Sequence, residues 1–568
     1  MTNSLALCSV GTPPVVRRGL HQGGLSRLCL VALSLGCFAC NESSSATVST
    51  IGPGSSLPVA PGAVSTGVSA ERVDTDQNLV ALSVSEMSEG GKDLNGDGDV
   101  DDEVLFVHDA HTGVTTNLGF AVEGFEVVFP YVVFTVPEVG ESSDLNGDGD
   151  LDDQILFIFD SATGSVKNQL LKVPTLSGGS IAPFVKLEHS GGLLAVLARD
   201  QDFDRITLRL IELATGATLD SGLQSFFSKF GPSSKMAVVL RELVEGADLN
   251  GDGDVVDNVM HVLDTKTGLL ENLELSLTPL PIFASNDELL AFAPGEAING
   301  NQDFDGDGLT TSTVLHVHEY ATGITTNTNV SSDPGGGTFL VGGRVVFIGA
   351  DGELRIWEAN TGITLRTGIR PQSMNVTDSG VLCSVSESRE SIDLNGDGDL
   401  KDFVLHSYDF ATWVSQNLGV SASTQFGTSL FAFASAFEGN EGMDLNGDGD
   451  QTDAILYSWN AGDQLSQSSV LGFPLGSLDN YYVLTRVFES DIDLNGDGDL
   501  LDFVAFIGRP GQGAQAINLE LALTLKSGLP SNFNSYLPVL VNEASQGETD
   551  LNGDGDHDDD VLFIIRLQ

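Results

Sequence analysis

Cysteine is nearly missing from the body of this chain. Of five in 568 residues, Cys8, Cys29, Cys37 and Cys40 fall within the first forty, and only Cys383 lies beyond them. A disulfide framework is thereby excluded. Cys383 stands in the strand-like run Gly-Val-Leu-Cys-Ser-Val-Ser, which predicts a buried, inert thiol. Positive charge is scarce too: 25 lysines and arginines face 80 aspartates and glutamates, a formal net charge of -55. Such a surface repels a nucleic-acid backbone and an anionic membrane face. The carboxylates are bunched into short runs at regular intervals, and bunched carboxylates attract cations. Gly-x-Ser-x-Gly, His-Glu-x-x-His and a phosphate-binding loop are all missing, so no residue is assigned a catalytic role. The apolar run from Leu28 to Ala39 has twelve residues, too few to cross a bilayer.

That run has the length of a signal-peptide core, and Arg17, Arg18 and Arg27 precede it. Ala39, Cys40 and the polar stretch Asn41, Glu42, Ser43, Ser44, Ser45 follow, and together they resemble a bacterial lipoprotein signal with Cys40 as the lipidated residue. The usual lipoprotein box has Leu three residues before the Cys, where this chain has Cys37. Plain secretion and a twin-arginine signal at Arg17 and Arg18 are the alternatives. The reading is therefore an export signal over 1–40, a Ser/Gly/Pro-rich tether over 41–68 and a folded body over 69–568. It places the protein outside the cytoplasm, as an outer-membrane or cell-surface lipoprotein or as a secreted protein. A lipid anchor would be its only contact with membrane.

Glycine, at 66 positions, is abundant, and much of it sits in one repeated heptapeptide. Asp-Leu-Asn-Gly-Asp-Gly-Asp begins at Asp93, Asp144, Asp248, Asp393, Asp444, Asp493 and Asp550, at steps near one, two or three times about fifty residues. Altered copies fill the gaps. One is the abbreviated Asp303-Phe-Asp-Gly-Asp-Gly, and another is Asp200-Gln-Asp-Phe-Asp-Arg. In a third, Asp351-Gly352 replaces the whole loop, and such a dipeptide predicts a two-residue hairpin turn with positive φ at both residues. The acidic loop therefore joins two adjacent antiparallel strands, such as Tyr131-Val-Val-Phe-Thr-Val before it and Gln154-Ile-Leu-Phe-Ile-Phe after it. A Thr-Gly turn and a short polar strand follow, and a further strand precedes the next loop.

Four antiparallel strands in about fifty residues predict an all-β protein, a β-propeller of about ten four-stranded repeats. A β-solenoid, with shorter turns, is the runner-up. Ten blades exceed the usual four to eight. One large ring and two tandem propellers, with a junction near 340–370, are both open. The last unit lacks a strand, which residues near 62–84 can supply to close the ring.

Counting the first Asp of each loop as position one, oxygen side chains recur where an EF-hand loop puts its ligands. Position three is Asn95, Asn146, Asn250, Asn395, Asn446, Asn495 and Asn552, and position five is Asp97, Asp148, Asp252, Asp397, Asp448, Asp497 and Asp554. Glycine at position six allows the sharp turn. Position ten is Asp102, Asp153, Asp257, Asp402, Asp453, Asp502 and Asp559, read as the closing ligand in place of the EF-hand's Glu at twelve. Position seven is Asp99, Asp150, Asp254, Asp399, Asp450, Asp499 and Asp556, either ligands or nearby charges. Asp303, Asp305 and Asp307 are the corresponding residues of the abbreviated copy. Upstream acids recur in pairs, as Glu138 with Glu141, Glu242 with Glu245, Glu387 with Glu390 and Glu438 with Glu441. They are either solvated charges or a source of one more ligand.

Several structural calcium ions are the expected cofactor. Magnesium needs tighter octahedral geometry, sodium is the weaker candidate, and zinc prefers Cys and His, which these loops lack apart from His557. In the Asp200 copy, Arg205 can stand in for the cation or form an exposed ion pair. The loop resembles the calcium loops of FG-GAP and integrin-α propeller repeats, of thrombospondin type 3 repeats and of dockerins. In the propeller families it too joins strands, so the resemblance implies calcium-loaded blades over about 70–568.

His261, His316 and His406 share a strand position with Phe106, Phe157, Tyr457, Phe506 and Phe563, which reads as packing between blades. His316 and His318 share one strand face, a weak metal signal. Three functions compete: a calcium-stiffened scaffold binding a protein or polysaccharide partner, a hydrolase or lyase working in the central channel, and a purely structural envelope protein. The scaffold is the leading reading.

Overall fold

A computed structural model gives the fold. It describes residues 62–566 apart from 174–187, 200–205, 233, 279–282, 334, 448, 450, 452, 463, 479–481, 490–492, 509–516, 525–531 and 534–535. Cys40, the loop from Asp200 to Arg205, Asp448 and Asp450 lie outside these residues.

Short apolar segments rich in Val, Ile, Leu and Phe form the second and third strands of each repeat. In the first they are Leu79–Ser85 and Glu103–Asp109, paired antiparallel from Leu79–Asp109 to Ser85–Glu103. Both faces of these strands are covered, because each sheet is packed between two others, so the sequence runs apolar instead of alternating. The fourth strand, Val114–Ala121, is more polar and only partly covered at the outer edge. First strands of neighbouring repeats, such as Arg72–Asp76 and Gly124–Val128, touch each other and line the centre.

The described strands form nine hydrogen-bonded sheets, and the eight-stranded one holds two blades joined, among the described residues, through the backbone pair Arg199–Lys172, which makes ten blades. Gly62–Ser69 pairs with the final strand, Asp560–Arg566, so the N-terminal strand completes blade 10. This strand takes residues 62–68 of the stretch read as tether. Its Ala63 and Val68 pack into the adjoining cores, as a free tether would not.

One ring, not two, follows from the core. Ten apolar clusters each straddle two consecutive blades. Phe134 and Leu105 meet between blades 1 and 2, Trp357 and Leu315 between 5 and 6, and Cys383 and Ile356 between 6 and 7. The tenth cluster joins Leu540 and Leu562 of blade 10 to Val80 and Leu82 of blade 1. The short sixth blade, Thr338–Arg366, thus packs on both neighbours as the others do. Every described acidic loop joins a second to a third strand, so these loops crown the same face of the ring.

The Asp351-Gly352 turn differs from expectation. Only Gly352 has positive φ, at 75°, and Gly349 and Glu353 bracket a three-residue loop, with the Gly352 N–H donating to Gly349 O at 2.8 Å. Asp351 carries a Cβ and avoids the left-handed region, so the turn uses a single glycine at its last position.

Candidate metal-binding loops

Each loop is built from its ends inward. The residue at position two is its plug: Leu94, Leu145, Leu394, Leu445 and Leu551 pack against the blade cores. Glycines at positions four and six take left-handed φ, 89° at Gly96 and 107° at Gly98, which a side chain would strain. Position one then faces inward. Asp144 accepts from Gly147 N at 2.5 Å and from Gly149 N at 3.0 Å; the first bond recurs in the loops from Asp93 and Asp550, and both recur in those from Asp248, Asp303, Asp393, Asp444 and Asp493. Positions three, five and seven each accept the N–H two residues ahead, as Asn95 does from Asp97, Asp97 from Asp99 and Asp99 from Asp101. Asn at position three also donates to Asp at position ten, at 2.7–3.4 Å in all seven full loops.

Beneath each of eight described loops lies a buried glutamate. Glu86, Glu138, Glu242, Glu296, Glu387, Glu438, Glu489 and Glu543 are all 0% exposed. One carboxylate oxygen accepts the position-two N–H at 2.5–2.7 Å in all eight. The other accepts the position-ten N–H at 3.0–3.4 Å in seven of them. In the eighth, Glu489 Oε2 is buried without a partner among the described residues, and so is Asp554 Oδ2 at position five of blade 10. Four of these glutamates, Glu138, Glu242, Glu387 and Glu438, are the first members of the upstream pairs, so the bland reading of a solvated charge does not describe them.

The buried Glu, position seven and position ten come together. Glu86, Asp99 and Asp102 each place a carboxylate oxygen within 4.8 Å of the others, as do Glu138, Asp150 and Asp153, Glu242, Asp254 and Asp257, and Glu387, Asp399 and Asp402. Separations of that size suit oxygens 2.3–2.6 Å from one calcium ion. In blade 5 the group is Glu296, Asp303 and Asp305. That loop is full length, not abbreviated. Ser312 holds position ten, and Glu296 N donates to its carbonyl at 3.0 Å.

Crowding shows in protonation. Burial, reinforced by neighbouring carboxylates, pushes Asp102, Asp257, Asp502 and Asp559 up to about 6. Glu141, the second member of its pair, is pushed up to about 7 by burial and by the charges of Asp102 and Asp97 in the preceding blade's loop. These second members reach backward over the seam: Glu141 accepts Ala121 N at 2.6 Å, and Glu89 accepts Ser69 N at 3.0 Å. The loops reach forward, Asn95 donating to Gly140 O at 2.9 Å and Asn552 to Ser88 O at 3.3 Å across the closure. Each such loop therefore sits on the seam between two blades.

One recurring support went unread in the sequence. Asn117, Asn168, Asn272, Asn327, Asn417 and Asn518 on the fourth strands donate to the position-two carbonyl at 2.7–2.9 Å. A bulge beside each one turns the amide inward, as between Val104 and Phe106. Their recurrence about 24 residues after position one is the signal that could have found them.

The remaining candidates are structural. His261 and His316 are buried, each with Nδ1 on a backbone carbonyl at 3.0 Å, and burial holds His316 down to about 4. His316 packs against Phe292 and Phe304, whereas His318 bonds Thr325 Oγ1. The Cys383 thiol is fully buried and pushed up to about 12. Among the described residues, no helix is long and apolar enough to cross a membrane.

Fold and site together define a ten-bladed β-propeller with repeated acidic seam loops. No protein-family model matches the sequence, and no curated protein does. Solved structures match in part. BamB from Moraxella catarrhalis is 12% identical, with 66% of this chain and 95% of that one covered at a TM-score of 0.30. The β-propeller domain of the Trilobed protease from Pyrococcus furiosus is 12% identical over 62% and 97%, at 0.29, and TolB from Acinetobacter baumannii is 12% identical over 56% and 76%, at 0.23. The ring itself, more than these likenesses, establishes the fold.

Proposed function

We propose that this protein is an extracytoplasmic scaffold whose loops hold calcium as a structural ion, stiffening a ring that presents its face to a protein or polysaccharide partner. The observation that supports calcium is the buried glutamate under each loop, grouped with two aspartates and left with an unpartnered oxygen at Glu489. Carboxylates gathered in this way without a cation repel one another, and an ion relieves the repulsion. Oxygen-only ligands favour calcium over zinc. Because the loops lie on seams, each ion would fasten two blades together. Extracellular calcium modules bind at about 10⁻⁴–10⁻³ M, which suits sites filled permanently outside a cell. Export, and a lipid on Cys40, are the parts of this reading carried by the N-terminal sequence alone.

The test is a calcium titration of the full chain after chelation, with ions counted by calorimetry and unfolding followed by circular dichroism. Uptake of several ions with a large rise in melting temperature is expected. No uptake and unchanged melting would refute the calcium reading.

A further inference from the structure

One loop has a largely buried cation on its closing aspartate, unlike the exposed Lys401, which reaches only Asp399 at position seven of blade 7. In blade 2, Lys172 Nζ lies 2.7 Å from Asp148 Oδ2 and 2.5 Å from Asp153 Oδ2, positions five and ten of the loop. The lysine side chain is only 18% exposed, so these are not loose surface contacts. Lys172 is the fourth-strand residue paired with Ile155. At the same ladder position the other loop-bearing blades have Ala121, Ser276, Ser331, Ser421, Leu471, Ala522 and Ser69. None of these carries a charge, and all but Leu471 are short.

Blade 6 shows the same device in another form. Glu353 occupies the place of the closing aspartate, its carbonyl accepting Gly349 N at 2.9 Å just as Asp102 O accepts Glu86 N at 3.0 Å. No acidic loop surrounds it. Instead Arg366, from the fourth strand, donates from Nε to Glu353 at 2.8 Å, and Arg355 pairs with Asp351 at 2.6 Å. In both blades a cation borne by the chain rests on the closing carboxylate.

We infer that the Lys172 ammonium is a tethered replacement for the loop ion, and that the loop of blade 2 stays free of calcium while the open loops fill. This inference rests on the calcium reading above. A second cation among Glu138, Asp150 and Asp153 must share Asp153 with an ammonium already in contact with it, and two positive charges so close repel strongly. The lysine also has the advantage of attachment, since it gives up no translational freedom on entering the site. Blades 2 and 3 are the pair whose sheets are joined by the backbone pair Arg199–Lys172. That seam is fastened by the chain itself.

The experiment counts calcium ions bound to the full chain and to Lys172→Ser, with calcium alone as the probe. The variant is expected to bind one ion more than the unaltered chain. An equal count, with ions bound in both, overturns the inference and leaves the calcium reading standing. No ions in either overturns both. Should Lys172→Ser fail to fold, the reverse change, Ser421→Lys in blade 7, is expected to bind one ion fewer, and an unchanged count there also overturns the inference.

Discussion

Blades 1 and 6 make the same connection, second strand to third, with opposite chemistry. Blade 1 spends fifteen residues on it, between Glu86 and Asp102, and gathers Asp99, Asp102 and the buried Glu86 with no basic side chain among them. Blade 6 uses three residues between Gly349 and Glu353 and meets its two acids with Arg355 and Arg366. The first design depends on a cation from solution and the second does not. The hairpin itself therefore never required the long loop, and what the extra residues add is a charge-dense contact with the next blade. Chain connectivity fixes the sheet, whereas the loop fastens the seam.

The largest effect expected from this contrast is that of chelation. If ions fill the open loops, each contributes about 2.7 kcal/mol at a hundredfold excess over its dissociation constant, so removing several should lower the melting temperature by more than ~10 °C. Hydrogen exchange sharpens the comparison. On chelation the amides of Leu94 and Asp102, which donate to Glu86, should lose protection, while those of Glu353 and Gly368 in blade 6 keep theirs. Equal loss in both blades would break the contrast.

Next in size is Glu242→Ala. Glu242 accepts from Leu249 N at 2.6 Å and Asp257 N at 3.1 Å, so truncation strands buried donors as well as removing a ligand. A loss of about 3–5 kcal/mol is expected, measured by urea unfolding in calcium. A loss under about 1 kcal/mol would show that the buried glutamates do not organise their loops.

A pH measurement separates the loops from the core beneath them. His316 is buried and neutral, held down to about 4 against an ordinary 6.5. A histidine with a depressed folded value stabilises the fold above its unfolded pKa, and that stability fades as pH falls from about 6.5 toward 4. The amount is up to about 3 kcal/mol. His316→Phe, which places at this site the residue type found at Phe157, should flatten the acid limb of the stability curve in that window by the same amount. An unchanged acid limb would assign the loss to other groups.

Much of this was legible in the sequence. Seven copies of one heptapeptide give the period, the Asp351-Gly352 substitution reveals that the loop spans a hairpin, and the incomplete last unit points to closure by the N-terminal strand. What stayed hidden depends on residues that meet only when the ring forms. Asn95 and Gly140 are 45 positions apart, and nothing local marks them as partners. Glu138 and Glu141 look alike in sequence, yet the helical turn between them sends one under its own loop and the other to Ala121 of the preceding blade. Lys172 reads as an ordinary residue of a polar strand until its register sets it over Asp153.

The smallest expected effect bears most directly on the contrast between the two blades. Replacing Arg355 and Arg366 together with Ala removes both cations facing Asp351 and Glu353 and leaves Glu353 buried beside a backbone that still donates to it, from Gly368 N at 2.8 Å. Arg366 is mostly exposed, so solvent already screens much of its attraction. The double variant should therefore lose less stability than Glu242→Ala, and the loss should be the same with and without calcium, because two acids on a three-residue turn do not supply the six or more oxygens that calcium takes. If calcium instead restored the lost stability, the short turn would be a metal site in its own right. Thermal unfolding of the double variant in calcium and in chelator distinguishes the two outcomes.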